Sequence, residues 1–200
     1  MTFKQLALAT VAMTVAATFA SQAAAQASEP LMITGAVPAG VCSFNGNRAV
    51  AESTAGKYVS GRLQELATQV KAELDAEQTT LQTDAQALET QKPTLAAATY
   101  QSRGEALQQR AQAFQRKAQV RQREMQDTQQ KAVQTIEVQL GPIVQQTATA
   151  RHCTLLISSE ALVLPNPSID ITDAAMASLN TKLTSFAVDR EHLDQQPGAR

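Results

Sequence analysis

The residues best suited to chemistry in this 200-residue chain are few and far apart. Cys153 directly follows His152, which places a nucleophile beside a base, and Cys42 and His192 are the remaining cysteine and histidine. Without C-x-x-C spacing these four residues do not make a closed zinc site. The chain also lacks a Gly-rich phosphate loop and the H-E-x-x-H and G-x-S-x-G motifs. We therefore predict a protein that is not an enzyme and that works without metal, ATP or any other cofactor.

The first 25 residues are typical of a secretory signal peptide. Lys4 supplies a short basic region, an apolar stretch extends from 6 to about 20, and small residues then allow cleavage after Ala25 or Ala27. The alternative is a membrane anchor, but threonines interrupt the apolar stretch, which is shorter than the ~20 residues that a membrane span needs. We expect the mature protein to be exported and soluble.

An exported protein with an even number of cysteines often contains a disulfide. Cys42 lies in a short β-prone run, and Cys153 begins a second one. One interpretation is a bridge between Cys42 and Cys153, and the other is that both are buried thiols.

The charged residues in the middle of the chain are arranged as a mirror around Lys92 and Pro93. Between 73 and 89 every charged residue is acidic, whereas between 103 and 123 all but Glu105 are basic. If the chain reverses near the proline, the two segments lie side by side and antiparallel. Each exposed ion pair stabilises by only ~0–1 kcal/mol, so the row selects the register more than it stabilises the fold. The acidic residues are Glu73, Asp75, Glu77, Asp84 and Glu89, and the basic ones are Arg103, Arg110, Arg116, Lys117, Arg121 and Arg123.

Helical periodicity predicts two long helices on either side of this turn. The first begins near Thr54, and the second extends to about Leu140, where the Gly-Pro pair at 141–142 predicts a kink. Apolar residues recur at seven-residue steps, as in a coiled coil, but Arg121 and Thr128 occupy positions of the seam. We therefore expect thin packing between two helices that are each about 60 Å long.

Shorter elements flank the long helices in the sequence. A strand is predicted at 41–44, a turn at 45–47, and a β-hairpin at 153–164. Thr172 is the predicted N-cap of a last helix, and 191–200 are predicted to be a frayed tail.

About three short strands bury too little surface to be stable alone, so we expect self-association. Together these features predict an α+β fold, in which a long antiparallel helical hairpin, 54–144, projects from a small β-sheet body formed by 26–53 and 145–190. The body is expected to mediate oligomerisation. The apolar residues expected at its subunit interface are Val41, Phe44, Leu155, Ile157, Leu162 and Leu164.

Three short segments follow one another in a distinctive order. They are Ser-Thr-Ala-Gly-Lys at 53–57, Leu-Gly-Pro-Ile at 140–143, and Val-Leu at 163–164 followed by Asp-Ile-Thr at 170–172. In this order and spacing the chain resembles the OmpH/Skp family of periplasmic chaperones over nearly its whole mature length. The resemblance implies a periplasmic homotrimer, whose three helical arms enclose a cavity. It also implies that the cavity holds unfolded outer-membrane β-barrel proteins without ATP and prevents their aggregation.

In such a protein the clients are expected to contact the arms and not the body. The candidates are apolar side chains that a two-helix seam cannot all bury, and Tyr100 is the strongest of them because it lies near the predicted tip. The alternative is that most of them simply form the seam. The basic residues of the second helix would add a salt-sensitive contribution. The candidate client-binding residues are Leu88, Leu95, Tyr100, Leu107, Phe114 and Met125.

The net charge limits the other partners. The formal charge is -1 and the pI is about 6.1, whereas a general nucleic-acid binder carries a basic surface, so we expect no nucleic-acid partner. Some members of the family contact membranes or lipopolysaccharide. Because the basic residues here lie mainly on one helix and face an acidic one, we expect only weak contact of this kind.

Two other kinds of envelope protein also use long helices. Periplasmic adaptors of efflux or secretion systems need larger β domains than the flanking segments provide. A structural coiled coil should have a filled seam, unlike one that contains Arg121 and Thr128. A structural or adaptor coiled coil remains the alternative to the chaperone.

Overall fold

The structure is a computed structural model that describes residues 35–193. The predicted signal peptide and residues 194–200 of the predicted tail lie outside this range. Within it the protein is mostly helical, with four helices and one small sheet. In chain order the elements are β1 (Val41–Phe44), α1 (Gly46–Glu52), α2 (Thr54–Gln91), α3 (Ala97–Ala150), β2 (Leu155–Ser158), two 3₁₀ turns (Ser159–Ala161 and Pro167–Ile169) and α4 (Thr172–Lys182).

The first short helix was not foreseen from the sequence. The turn predicted at 45–47 is wrong, because Asn45 is instead the N-cap of α1 and its side chain accepts the backbone N–H of Arg48 at 2.8 Å. Ser53 ends α1 and caps α2, since its hydroxyl donates to the carbonyl of Val50 and accepts from the N–H of Gly56. The two helices therefore meet at one buried serine.

The long helices break where the sequence predicts a turn, at 92–96. The predicted end of the second helix is wrong, because α3 continues through Pro142 to Ala150. A proline inside a helix leaves the carbonyl four residues earlier without its donor. That residue is Val138, which is 63% exposed, so water can reach this face of the helix.

The C-terminus of α3 is closed by a left-handed residue. The N–H of Cys153 donates to the carbonyl of Ala148, and that of His152 donates to Thr149, which is the Schellman pattern. His152 has φ +56°, at the position where glycine is usual. This turn directs the chain from α3 into β2.

The sheet consists of two parallel strands and differs from the predicted hairpin. β1 pairs with β2 in the register Val41↔Leu155 to Phe44↔Ser158, and the helices between them form the crossover that parallel pairing requires. The second apolar run, 161–164, is not a strand, because the chain turns through a 3₁₀ helix and leaves Val163 94% exposed.

The last helix is tied to β1 and α1 by hydrogen bonds at its start. Thr172 is the first helical residue and not the N-cap, and the carboxylate of Asp170 accepts its N–H at 2.8 Å. The hydroxyl of Thr172 in turn accepts the N–H of Asn45 at 2.9 Å. Thr172 is fully buried, and a threonine is tolerated there because its hydroxyl also donates to Asp170 and so has partners for both of its roles.

The hydrophobic core lies where the ends of the long helices meet the short helices. Phe44 of β1 and Val50 of α1 pack against it from the side. Its buried members are Ala49, Ala55, Val59, Leu66, Ala132, Ile136, Leu140, Ile143, Ala175, Leu179 and Val188.

Candidate functional site: the paired long helices

Ion pairs join α2 to α3 along a shared length. Asp84 binds Arg110 at 2.6 Å, and Lys117 binds both Glu77 and Glu73 at 2.8 Å. Arg121 reaches Glu73 at 3.1 Å. As the residue numbers of the basic partners increase along α3, those of their acidic partners decrease along α2. The acidic and basic segments therefore pair as their charges predict.

Not every predicted basic residue takes part in this ladder. Arg103 donates to the side-chain amide of Gln91 at 2.8 Å. Arg116 and Arg123 are exposed and have no ion pair among the described residues. Four of the six predicted basic residues are therefore held against α2, while these two, seven residues apart, lie free on the surface of α3.

Glu73 is the most strongly perturbed carboxylate of the site. Its side-chain hydrogen bonds to Arg121, Lys117 and Arg190 lower its pKa to about 2, although partial burial opposes the shift. The same contact raises the pKa of Lys117, mainly through Glu73 and then Glu77. Both groups are therefore fully charged at neutral pH.

The polar seam positions Arg121 and Thr128 are buried and satisfied, which corrects the prediction of a poorly filled seam at these two positions. Between 71 and 120 no side chain is buried, so the thin packing predicted there is confirmed. Glu124 is fully buried and binds Arg121 at 3.0 Å. Thr128 donates to the carbonyl of Glu124 and accepts the backbone N–H of Glu191. The signal that the sequence offered was the spacing of Arg121 and Glu124, three residues apart on one helix, but their cover comes from a remote segment.

The remote segment that covers these residues is the chain after α4, and the sequence predicts a frayed tail for 191–200. Arg190 binds Glu73 at 3.2 Å and Glu124 at 3.5 Å, so it bridges α2 and α3. The N–H of Leu193 donates to the carboxylate of Glu124 at 3.0 Å. For 191–193 the predicted frayed tail is wrong, because the buried carboxylate and the threonine hydroxyl offer acceptors that extended backbone can reach.

The predicted client-binding residues are distributed over two open grooves between the long helices. Phe114 and Met125 line a groove of about 780 Å³, together with Leu63, Val70 and Leu74 of α2. Leu88 and Leu107 line a second groove of about 350 Å³, nearer the tip, whose rim carries the Asp84–Arg110 ion pair. All four predicted residues are half-buried.

The remaining two candidates, Leu95 and Tyr100, lie at the tip. The hydroxyl of Tyr100 donates to the carboxylate of Glu89, and this hydrogen bond, followed by burial, raises the pKa of Tyr100. The ammonium of Lys92 lies 5.2 Å from the ring centre. Tyr100 thus binds the end of α2, a role that the sequence did not reveal.

A disulfide and several exposed apolar side chains are found at the two strands and in the chain that follows β2. Cys42 and Cys153 are bridged, with Cα atoms 5.7 Å apart, so β1 is joined covalently to the chain that follows α3. Leu155 and Leu156 of β2 are 53% and 40% exposed, and Leu164 is 42% exposed. The free edge of β2 pairs with no other strand in the described part of the chain.

Comparison with protein families agrees with this architecture. The family described as outer membrane protein (OmpH-like) matches residues 40–179, which is well over half of the chain. The chain belongs to the OmpH-like family. A solved structure named as an OmpH-like outer membrane chaperone, from Caulobacter crescentus, is 41% identical in sequence, with a TM-score of 0.79. The match covers 82% of this chain and 97% of that chain. Among curated proteins, none matches this sequence significantly.

The segments that resemble the family have clear structural roles in this OmpH-like protein. In 53–57, a side chain at Gly56 would place its Cβ 1.8 Å from the carbonyl oxygen of Val50, so only glycine allows α1 and α2 to approach this closely. In 140–143, Leu140 and Ile143 are core residues. Asp170 binds Arg48 of α1 at 3.0 Å.

Other kinds of site are not found in residues 35–193. In this range no group of three or more His, Cys, Asp or Glu side chains could hold a metal ion. Nor does any described helix of this OmpH-like protein combine the length and apolar character needed to cross a bilayer.

Proposed function

We propose that this OmpH-like protein is a periplasmic chaperone that holds unfolded outer-membrane β-barrel proteins without ATP and prevents their aggregation. Its working part is an antiparallel hairpin, the arm, made of α2 and α3. The arm projects from a small body made of 26–53 and 145–190. The first 25 residues act as a cleaved signal peptide.

The observation that carries this proposal is the pair of open grooves along the arm. They present half-buried apolar side chains, among them Phe114, Met125, Leu88 and Leu107, between rims of glutamine and charged residues. An unfolded chain offers many apolar segments without a defined shape. Many weak contacts of this kind bind the unfolded state and lower its free concentration, and with it aggregation. A rod with a purely structural role would bury these residues in its seam, so the grooves favour a chaperone.

Self-association would place several arms around one client. The exposed apolar side chains of Leu155, Leu156, Val163 and Leu164 support an interface at the body, because burying them against another copy would remove apolar surface from water. We propose that three copies associate there, as the family resemblance implies. Of the six basic residues between 103 and 123, Arg116 and Arg123 are the two not held against α2, and we propose that they make weak contact with anionic clients, membranes or lipopolysaccharide.

The decisive experiment shortens the arm by one heptad in each helix. Deletion of 85–91 and 103–109 removes Leu88 and Leu107, and with them the second groove, but keeps the tip at 92–102. Because seven residues make about two helical turns, the seam residues on both sides of each deletion still point towards the other helix. We expect the shortened protein to keep its oligomeric mass and to suppress aggregation of a urea-unfolded outer-membrane protein severalfold less well, measured by light scattering without ATP.

A second variant separates groove chemistry from arm length. Leu88→Gln with Leu107→Gln keeps both helices at full length and removes the apolar lining, and it should weaken protection in the same direction. The matched control is Gln86→Ala with Gln108→Ala, which changes exposed residues outside the lining. If the shortened protein and the Leu88/Leu107 variant both protect as well as the wild type, the arm is not the client-binding part and the proposal fails.

A further inference from the structure

The chain that follows α4 crosses the arm near the body and contacts both of its helices. We call residues 186–193 the strap. Phe186 packs against the core, and Val188 is 5% exposed within it. The carbonyl of Val188 accepts from the guanidinium of Arg62 on α2 at 3.2 Å. The strap is therefore anchored to the core at one end and to α2 beside it.

Further along, the strap enters the buried ionic cluster between the helices. Arg190, whose side chain is 18% exposed, contacts Glu73 of α2 and Glu124 of α3. The N–H groups of Glu191 and Leu193 donate to Thr128 and Glu124 at 3.0 Å. A buried carboxylate such as Glu124 is costly unless charges and hydrogen bonds compensate it, and the strap supplies two of these compensations.

The position of the strap coincides with a change in packing along the arm. Buried side chains on α2 end at Val70, and on α3 they begin again at Arg121. Between 71 and 120, all described in the structure, no side chain is buried. The Asp84–Arg110 and Glu77–Lys117 pairs join the helices there; the first is about half exposed and the second about one third exposed, and exposed pairs stabilise little.

We propose that the strap locks the base of the arm, 62–73 on α2 and 121–131 on α3, so that separation of the two helices is confined to the distal part, 74–120. The two helices are then held together at the base of the arm and can separate only beyond it. This inference concerns the mechanics of one chain, and it stands whether or not the arm binds clients.

Hydrogen–deuterium exchange of the full-length mature protein, without client, tests the lock directly. Arg190→Met removes the group that bridges Glu73 and Glu124. Hydrogen bonds to charged groups contribute enough that their loss should accelerate amide exchange at 62–73 and 121–131 by about tenfold or more. Exchange at 74–120 should change less than about twofold, because the strap does not support that part.

Matched variants keep the test decisive. Arg123→Met makes the same change at an exposed arginine of α3 and should leave exchange unaltered. A chain ending after Ala187 lacks 188–193 and with them the contacts of Val188, Arg190 and Leu193, so it should accelerate exchange at the base at least as much as Arg190→Met. If the methionine variant does not fold, Arg190→Lys decides, because it keeps the charge, loses the planar fork and should accelerate exchange at the base about threefold. Unchanged exchange at the base, or equal acceleration along the whole arm, would overturn the proposal.

Discussion

The charged residues at the base of the arm support one another as a cluster. Glu73 receives hydrogen bonds from Arg121, Lys117 and Arg190, and Arg121 and Arg190 also bind the buried Glu124. Removing one member leaves its partners with uncompensated charge in a site that water reaches poorly. Such a cluster therefore costs more to break than the exposed pairs farther along the arm.

The depressed pKa of Glu73 predicts a specific acid sensitivity. Its folded pKa of about 2 lies below the ordinary 4.5, so its contribution is present above pH 4.5 and is lost as the pH falls towards 2. After a discount for partial exposure, we expect Glu73→Gln to lower the free energy of unfolding by about 2 kcal/mol at pH 7. The difference from wild type should shrink as the pH falls below 4.5 and should disappear only below about pH 2, as measured by urea unfolding.

Asp75→Asn is the control for this prediction. Asp75 is an exposed acidic residue on the same helix, paired only with Lys71 among the interactions described. Its substitution should change stability by less than about 0.5 kcal/mol at any pH, since exposed pairs contribute little. A difference between wild type and Glu73→Gln that does not depend on pH would contradict the ionic origin of the effect.

Two glycines of α2 should respond in opposite directions to alanine. Gly56→Ala places Cβ against the carbonyl of Val50, which is backbone and cannot move aside easily, so we expect a loss of about 2 kcal/mol or more. Gly61 has no atom within 4 Å of the same position, and alanine there should stabilise the helix by about 0.5–1 kcal/mol. Thermal and urea unfolding of both variants measure the contrast, and a similar effect of the two would refute the close approach of α1 and α2.

At the scale of single elements, α3 shows how local rules and context compete. Most of its residues are good helix formers, and Pro142 does not end it because this turn faces solvent. The helix stops instead at His152, which is in the left-handed region with φ +56°. A side chain in this region costs roughly 1–2 kcal/mol relative to glycine.

His152→Gly should therefore stabilise the protein. Glycine removes the steric cost but gains freedom in the unfolded chain, so the net increase in the free energy of unfolding should be about 0.5–1 kcal/mol. His152→Ala, which keeps the Cβ, should give no increase. The measurement is urea unfolding with the Cys42–Cys153 disulfide intact, and equal stability of the glycine and alanine variants would argue against strain at this position.

At the scale of the whole molecule, the proposed body carries the features that favour self-association. The two-stranded sheet has a free edge at β2 in the described range, and apolar side chains lie beside it. Burying a leucine or valine contributes about 1.5–3 kcal/mol, so a few such residues are enough to drive association.

Leu155→Ser with Val163→Ser should weaken self-association at least tenfold, because both side chains are more than half exposed on one chain. Val138→Ser is the matched control, since Val138 is 63% exposed and belongs to α3 and not to β2 or the chain that follows it. Light scattering over a dilution series measures the mass of each. A wild type that is monomeric at micromolar concentration would contradict an interface at the body.

Features that repeat along the chain or depend on neighbouring residues could be predicted from the sequence. The break at 92–96 follows from the proline between two long helical patterns, and the pairing of α2 with α3 follows from their opposite charges. The acidic row and the basic row have one favourable alignment, and both rows can be read directly from the sequence. The OmpH-like family is likewise visible in short segments whose order is fixed by the chain.

What tertiary structure alone decided is the environment of residues whose partners are remote. Arg121 and Thr128 break the heptad pattern and so indicated a weak seam, yet the strap, more than 60 residues later, covers them. The parallel pairing of β1 with β2 depends on α1 and on the return of α3, neither of which an apolar run at 153–157 specifies. Propensity and periodicity depend on a residue's neighbours along the chain. Burial and charge compensation depend instead on the segment that packs against the residue, and that segment is determined by the fold as a whole.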